Sequence, residues 1–449
     1  MENKNKSKSS KINLSQLVLL GLGSLIGSGW LFGAWEASSI AGPAAIISWI
    51  IGFIVIGTIA YNYIEIGTMF PQSGGMSNYA QYTHGSLLGF IAAWANWVSL
   101  VTIIPIEAVS AVQYMSSWPW EWAKPMGALM KDGSISTIGL FAVYVIIAIF
   151  SLLNYWSVKL LTSFTSLISV FKLGVPLLTI IMLMISGFDT NNYGHSASAF
   201  MPYGSAPIFA ATTTSGIIFS FNAFQTIINM GSEIKNPEKN IARGIAISLT
   251  LSAILYIVLQ STFITSMPSS MIHEHGWNGI NFNSPFADMA ILLGINWLAI
   301  LLYVEAVVSP FGTGVSFVAV TGRVLRAMEK NGHIPKFLGK MNEQYNIPRV
   351  AIAFNAIISM IMVTLFRDWG TLAAVISTAT LVAYLTGPTT VISLRKMAPK
   401  MTRPFKANIL KFMAPLSFVL ASLAIYWAMW PTTAEVIFII ILGLPIYFF

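Results

Sequence analysis

The sequence predicts an all-α integral membrane protein with 12 transmembrane helices. Hydrophobic residues make up 55% of its 449 residues and charged residues only 9%, whereas a soluble domain carries about 25% charged residues. A bilayer is crossed by roughly 20 apolar residues of helix. Apolar stretches of about that length cover 14–39, 44–69, 87–116, 135–153, 160–187, 206–230, 245–266, 297–320, 350–366, 371–394 and 412–430, followed by a shorter stretch at 436–449.

The positive charges predict the orientation. The N-terminal tail, Lys159, the segment 235–243 and the loops 321–349 and 395–411 hold 20 of the 24 Lys and Arg residues. If both termini are cytoplasmic, all of these lie on the cytoplasmic side, as the positive-inside rule requires. We therefore expect a multi-pass protein of the cytoplasmic membrane. Its net charge of +8 reflects topology and contact with anionic lipid, and implies no nucleic-acid partner.

The two ends of the chain carry separate predictions. Residues 1–13 form a basic cytoplasmic tail, and the helix behind them is expected to be retained because no signal-peptide cleavage site follows. The last stretch offers about 14 residues, or roughly 21 Å of helix, against a hydrocarbon core of about 30 Å. It is expected either to be truncated or to stop inside the bilayer, and we favour truncation. Cysteine is absent, which excludes disulfides and thiolate chemistry.

The first apolar stretch contains GLGSLIGSGWLFG, with five glycines between Gly21 and Gly33. Each glycine inside a helix costs about 1 kcal/mol relative to alanine. A break between Gly23 and Gly29 would free amides, which suit an anion, and carbonyls, which suit an ammonium group. Such a site fits both ends of an α-amino acid. The alternative is that the glycines only allow close helix packing, since Gly23 and Gly27 form a GxxxG pair.

The sixth stretch predicts a second break. TSGIIFSFNAFQT interrupts an apolar run with Ser220, Asn222 and Gln225, although it lacks a central glycine. Polar side chains at this depth mark a cavity or a hydrogen bond between helices. Transporters built from inverted repeats of five helices carry breaks in helices 1 and 6.

Four motifs are similar to those of the amino acid-polyamine-organocation (APC) superfamily of permeases. They are GSLIGSG in helix 1, YIEIGTMFPQSGG after helix 2, SEIKNPEKNIARGI after helix 6, and SPFGTG with TGRVLRAMEKNGHIP in and after helix 8. The last pair resembles bacterial aspartate-proton symporters. The resemblance implies a leucine-transporter-like fold with helices 1–5 (14–187) and 6–10 (206–394) as inverted repeats, and helices 11 and 12 (412–449) at the periphery.

The resemblance also implies a substrate site at the two breaks. The substrate carboxylate would meet the amides around Ser28 and Gly29 with help from the Ser28 hydroxyl, and the ammonium would meet the carbonyls of Leu25, Phe219 and Asn222. Phe219 would close over the substrate as a gate, its alternative being ordinary packing. Asn222 and Gln225 depart from the residues frequent in the family. The full set of expected binding residues is Ser24, Leu25, Gly27, Ser28, Gly29, Phe219, Ser220, Asn222 and Gln225.

Three charged residues fall inside predicted spans. A charge at mid-membrane costs about 2.5–3.5 kcal/mol on insertion scales, so it usually has a partner or a function. Related proton-coupled permeases carry a lysine at the place of Lys172, which is therefore expected to be the proton switch, touching the helix 1 break and SPFGTG; a static ion pair is the alternative. Glu107 and Glu305 are candidate proton-relay members, side-chain selectors or hydrogen-bonded helix contacts.

These observations predict a secondary transporter that imports an amino acid by alternating access, through proton symport. An exchanger of the same fold is the nearest alternative, and an intramembrane enzyme or a non-transporting receptor is more distant. The residues leave acidic and neutral substrates equally open. No phosphate loop or dinucleotide motif is present, so we expect neither a cofactor nor coupling to ATP. His273 and His275 lack further ligands nearby in the sequence, so no metal site is expected.

Overall fold

The chain folds almost entirely into α-helices. The computed structural model describes residues 11–72, 74–156, 159–222, 224–342 and 347–448. The helices are α1 Leu14–Leu25, α2 Gly29–Ala41, α3 Ala45–Met69, α4 Met76–Tyr79, α5 Gln81–Ser116, α6 Thr137–Trp156, α7 Lys159–Gly187, α8 Ala197–Phe200, α9 Ala206–Thr214, α10 Ile217–Phe221, α11 Phe224–Asn229, α12 Pro237–Ser266, α13 Ser269–Gly279, α14 Pro285–Leu292, α15 Asn296–Lys330, α16 Arg349–Leu365, α17 Trp369–Tyr384, α18 Thr386–Met397, α19 Leu410–Trp427, α20 Thr432–Ile441 and α21 Leu444–Phe448.

Short elements fill the connections. Four 3₁₀ turns occupy Gly42–Ala44, Glu121–Leu129, Thr190–Tyr193 and Gly231–Glu233, and strands β1 Met130–Lys131 and β2 Ser134–Ile135 pair antiparallel. At the start of the described chain, Ile12 pairs with the loop before α12, donating to Glu233 and accepting from Lys235 at 2.9 Å each. This pairing fastens the beginning of α1 to the segment that follows α11.

Within the described ranges, seven helical segments are long and apolar enough to cross a membrane: Gly29–Met69, Gln81–Ser116, Thr137–Tyr155, Pro237–Ser266, Asn296–Lys330, Trp369–Met397 and Leu410–Trp427. Shorter apolar helices include α1, the later part of α7, α16 and α20 with α21. Every predicted stretch therefore falls on helix, and the protein is a multi-pass membrane protein. The count of 12 spans stays a prediction.

The break predicted in the first span is confirmed. Helix α1 ends at Leu25, Ile26 leaves helical geometry with φ −90° and ψ 85°, and α2 begins at Gly29. Glycines also allow close contacts here, because a Cβ on Gly21 would lie 2.5 Å from the Ser248 hydroxyl and one on Gly29 would lie 2.5 Å from the Ser220 hydroxyl. The glycines thus serve both the break and the packing.

The break predicted within the polar segment of the sixth span lies at Gly216, between α9 and α10, where a φ of +83° is left-handed. Six residues later, Asn222 follows the end of α10 with helical backbone angles of φ −64° and ψ −29°. A Cβ on Gly216 would lie 2.6 Å from the Trp369 ring. Both the backbone and the close approach therefore require glycine at 216, a position that the sequence reading did not single out.

Helix α5 runs through the centre of the structure. It packs against α15 and α17, and nearly all of its side chains from Gly89 to Tyr114 are buried. Helix α12 packs against α3 and is joined to it by a buried bond of 2.8 Å from the Trp49 indole to Gln260. The Gln260 amide also donates to Ser38 of α2 at 2.8 Å. These contacts position the two broken spans beside α5 and α15.

Candidate functional site

An internal cavity lies between the two broken spans and helices α5 and α15. Six of the nine predicted binding residues line it, and they are joined by four residues from the neighbouring helices. The lining consists of Ser24, Leu25, Gly27, Ile103, Glu107, Phe219, Asn222, Gln225, Thr313 and Phe317. The remaining predicted residues, Ser28, Gly29 and Ser220, are buried next to these. The fold therefore brings the predicted set together at one place.

The freed amide of Ser28 is occupied by a protein carboxylate. Ser28 N–H donates to both oxygens of Glu107, at 3.2 and 3.1 Å. Glu107 is fully buried, and a Cβ on Gly27 would lie 2.6 Å from its Oε1. The break in helix 1 thus binds a carboxyl group, as its dipole favours, and in this conformation that group is the Glu107 side chain of α5.

The Ser28 hydroxyl has a partner from a different helix. The Trp369 indole Nε1 donates to Ser28 Oγ at 3.0 Å. The same indole ring stacks on Phe32 at 5.0 Å and meets Phe219 edge-on at 6.2 Å. The predicted gate Phe219 is buried, with 8% of its surface exposed. Trp369 therefore links the helix 1 break to Phe219, a role that the sequence reading did not assign to any residue.

Each carbonyl predicted to meet the substrate ammonium accepts at least one hydrogen bond. Leu25 O accepts from the Tyr256 hydroxyl at 2.7 Å. Phe219 O accepts from Asn222 N–H at 3.1 Å. Asn222 O accepts from the Tyr384 hydroxyl at 3.2 Å. A carbonyl oxygen has two lone pairs. Leu25 O also accepts from Gly27 N–H at 3.2 Å and Asn222 O from Gln225 N–H at 3.4 Å, so a cation at these two carbonyls would compete with the donors that already bond them.

Lys172 lies where the sequence predicts it. Its ammonium donates to Gly23 O of α1 at 2.8 Å and to Thr313 Oγ1 of α15, within SPFGTG, at 2.6 Å. Lys172 is buried, with 4% of its surface exposed. The carboxylates of Glu107 and Glu305 are the charges that interact with it electrostatically. Among the described residues no carboxylate lies within 4 Å of its ammonium, so the lysine bridges two helices without a direct ion pair.

Glu305 lies two turns before Thr313 on α15. Its side chain is fully buried, and among the described residues neither carboxylate oxygen accepts a well-formed hydrogen bond. An ionised carboxylate in such a place costs several kcal/mol, whereas a protonated one does not carry that penalty. Glu305 interacts electrostatically with Lys172, but it does not line the cavity.

The chain belongs to the amino acid permease family, because the family model described as "Amino acid permease" matches residues 12–445. The predicted superfamily membership is thereby confirmed, and with it a leucine-transporter-like fold. Members of this family are transporters and not enzymes. The protein is accordingly an amino acid transporter, and the intramembrane enzyme considered for the sequence is not supported.

Relatives share this assignment over most of their length. The glutamate/serine transporter AimA of Bacillus subtilis (strain 168) is 52% identical over 433 residues, which cover 96% of this chain and 80% of the relative. The aspartate-proton symporter of the same organism is 34% identical, covering 94% and 80%. Its branched-chain amino acid permease BcaP is 26% identical, covering 99% and 93%. The predicted likeness to aspartate-proton symporters is thus confirmed.

Proposed function

We propose that this protein imports an amino acid across the cytoplasmic membrane together with a proton, with both of its termini in the cytoplasm. The proton coupling rests on one observation: the buried ammonium of Lys172 bridges α1, in the broken first span, and α15 beside the cavity. The 34% identity to an aspartate-proton symporter supports the same conclusion. The asymmetric distribution of Lys and Arg supports the orientation.

The cavity has a volume of about 10 Å³ in this conformation, which is room for about one water molecule. In this proposal it widens to hold the amino-acid backbone of the substrate. Its carboxylate binds at the first turn of α2, on the Gly29 amide and the Ser28 hydroxyl, because Glu107 already occupies the Ser28 amide. Its ammonium meets the Leu25, Phe219 and Asn222 carbonyls and competes there with the donors that now bond Leu25 O and Asn222 O. Glu107 lines the same cavity at the end where the substrate carboxylate binds, so it has to be protonated when the substrate enters, because two adjacent carboxylates repel each other.

The proton acts through Lys172. As an ammonium, Lys172 has three N–H donors, and two of them hold Gly23 O and Thr313 Oγ1. Hydrogen bonds from a charged donor are worth about 1.5–3 kcal/mol each, and those of a neutral amine less. Losing the proton therefore weakens the link between α1 and α15. Glu107 and Glu305, which both interact with Lys172, are the groups proposed to exchange the proton with it.

For the substrate we propose a small polar or acidic amino acid. The two relatives with the higher identities reported above carry glutamate, serine and aspartate in their names, whereas the third is a branched-chain amino acid permease. No Lys or Arg lines the cavity among the described residues, so an acidic side chain would depend on amide donors such as those of Asn222 and Gln225. Exchange of amino acids is the second candidate, since it needs the same binding site and no proton.

The test is uptake of radiolabelled amino acids into proteoliposomes with and without an inside-alkaline pH gradient. One proton per substrate and a gradient of one pH unit, worth about 1.4 kcal/mol, drive up to about tenfold accumulation. Lys172→Met should abolish the accumulation, whereas Lys131→Met, at an exposed lysine of β1, should retain it. Uptake that ignores the gradient but accelerates with preloaded substrate would overturn symport and establish exchange.

A further inference from the structure

Five buried side chains form a hydrogen-bonded group beside the cavity, here called the amide network: Ser99, Asn222, Gln225, Thr380 and Tyr384. Gln225 Nε2 donates to Asn222 Oδ1 at 2.8 Å, and the Tyr384 hydroxyl donates to the same oxygen. Asn222 Nδ2 donates to the hydroxyls of Thr380 at 3.0 Å and Ser99 at 3.3 Å. Each of the five is at most 2% exposed, so their bonds have no competition from solvent.

One polar atom of the network has no hydrogen-bond partner among the described residues. Gln225 Oε1 is buried and accepts no hydrogen bond from the described residues. A buried polar atom without a partner costs about 1–3 kcal/mol. Gln225 also lines the cavity, together with Asn222. A substrate side chain that donates a hydrogen bond to Gln225 Oε1 would therefore remove a penalty that the empty site carries.

The hydrogen bonds among the five side chains can also form when the amides of Asn222 and Gln225 are both turned over. Turning an amide by 180° exchanges its oxygen and nitrogen without changing its shape, and the three hydroxyls can each donate or accept. In the turned arrangement Ser99 or Thr380 donates to Asn222 Oδ1, and Asn222 Nδ2 donates to Tyr384 and Gln225. The Tyr384 hydroxyl then donates to Asn222 O, which lies 3.2 Å away. Gln225 Nε2 is thereby left as the free group.

We propose that the amide network lets one site take two chemical classes of amino acid, those with a hydroxyl side chain and those with a carboxylate side chain. The arrangement in the structure offers Gln225 Oε1 to a hydroxyl proton. The turned arrangement offers Gln225 Nε2 to a carboxylate. The network supplies the polarity that each substrate side chain needs, although no Lys or Arg is among the described residues that line the cavity. This inference rests on the proposed function and specifies its substrates.

Thr380 and Tyr384 belong to the network but do not line the cavity. Substituting them should shift the preference between hydroxyl and carboxylate side chains in opposite directions. Thr380→Val disfavours the present arrangement, because Asn222 Nδ2 loses one of its two acceptors there. The turned arrangement is affected less, because the Ser99 hydroxyl can still donate to Asn222 Oδ1. Tyr384→Phe disfavours the turned arrangement, because Asn222 Nδ2 loses an acceptor there, whereas in the present arrangement Asn222 Oδ1 still accepts from Gln225 Nε2. Leaving one buried N–H unpaired has a free-energy cost that corresponds to a change of about tenfold in the equilibrium between the two arrangements.

The experiment is uptake of L-serine and L-glutamate by wild-type and variant proteoliposomes, reported as the glutamate-to-serine ratio of initial rates. Relative to wild type, the ratio should rise about tenfold in Thr380→Val and fall about tenfold in Tyr384→Phe. Gln225→Met should lower the uptake of both substrates. Ser99→Ala, which also removes an acceptor of Asn222 Nδ2, replaces Thr380→Val should that variant fail to fold.

The outcomes separate this inference from the proposed function. Ratios that stay unchanged, or that move the same way in Thr380→Val and Tyr384→Phe, overturn the amide network as the selector. Undiminished uptake in Gln225→Met overturns the contact with the substrate side chain. Wild-type uptake of only one of the two amino acids refutes dual selection and leaves transport standing. Wild-type protein that accumulates no amino acid refutes the proposed function itself.

Discussion

Alanine at position 27 is a sharp test of the bond between Glu107 and the helix 1 break. Its Cβ would lie 2.6 Å from Glu107 Oε1 and 3.4 Å from Thr313 Cγ2. Since an ordinary contact is about 3.4 Å or more, the carboxylate has to retreat by roughly 0.8 Å. The Ser28 amide now lies 3.1 and 3.2 Å from the two Glu107 oxygens. A retreat of that size takes the pair beyond hydrogen-bond distance.

Losing the bond between the Ser28 amide and Glu107 should slow transport by a factor that can be worked out. A hydrogen bond to a charged acceptor is worth about 1.5–3 kcal/mol, which corresponds to roughly 10- to 150-fold in an equilibrium constant. The Glu107 carboxyl is the end of a flexible side chain, so the fold should accommodate Gly27→Ala. The initial rate of serine or glutamate uptake, normalised to the protein in the proteoliposomes, should therefore fall by that factor.

The chain offers a matched control and a second variant that checks the cause. A Cβ on Gly174, two residues from Lys172, would meet nothing within 4 Å, so Gly174→Ala should transport normally. Combining Gly27→Ala with Glu107→Asp removes the overlap but keeps the carboxylate away from the Ser28 amide, so this double variant should not recover the lost uptake. Gly27→Ala protein that transports as well as Gly174→Ala would refute the reasoning.

Two further predictions concern stability in detergent. Glu65 is fully buried and accepts hydrogen bonds from Arg395 at 2.9 and 2.5 Å and from the Ala407 amide at 2.8 Å. Glu65→Gln should therefore destabilise the protein by about 3–5 kcal/mol. The control is Glu121→Gln, at a surface ion pair, and equal melting temperatures of the two variants would contradict the prediction. Burial lowers the pKa of His333 from 6.5 to about 4. The unfolded chain therefore binds the proton first, and stability should fall as the pH drops from 6.5 to 4. His333→Phe should lose that part of the pH dependence of thermal unfolding, and a dependence that persists unchanged would exclude His333 as its source.

Local sequence determined the helical segments and the first break. Apolar runs of spanning length predict helix wherever they occur, and each of them falls on helix. The glycines predict a break between Gly23 and Gly29, because glycine is unfavourable inside a helix, and α1 ends within that range. These predictions depend only on neighbouring residues and on the bilayer. The isolated charge of Lys172 indicated only that it needs a partner or a function, whereas its contact with helix 1 and SPFGTG was implied by the resemblance to proton-coupled permeases.

The tertiary structure decided which groups share the cavity. The bond between Ser28 and Glu107 joins residues 79 positions apart, and the bond from Trp369 to Ser28 joins residues 341 positions apart. A local pattern could not predict either bond, because the side chains meet only when helices from both halves of the chain pack together. The left-handed turn at Gly216 belongs here as well, since the Trp369 ring fills the space that a side chain would need. Sequence determined the break in helix 1, whereas packing determined the position of the turn at Gly216 and which side chains bond the polar groups that the break in helix 1 exposes.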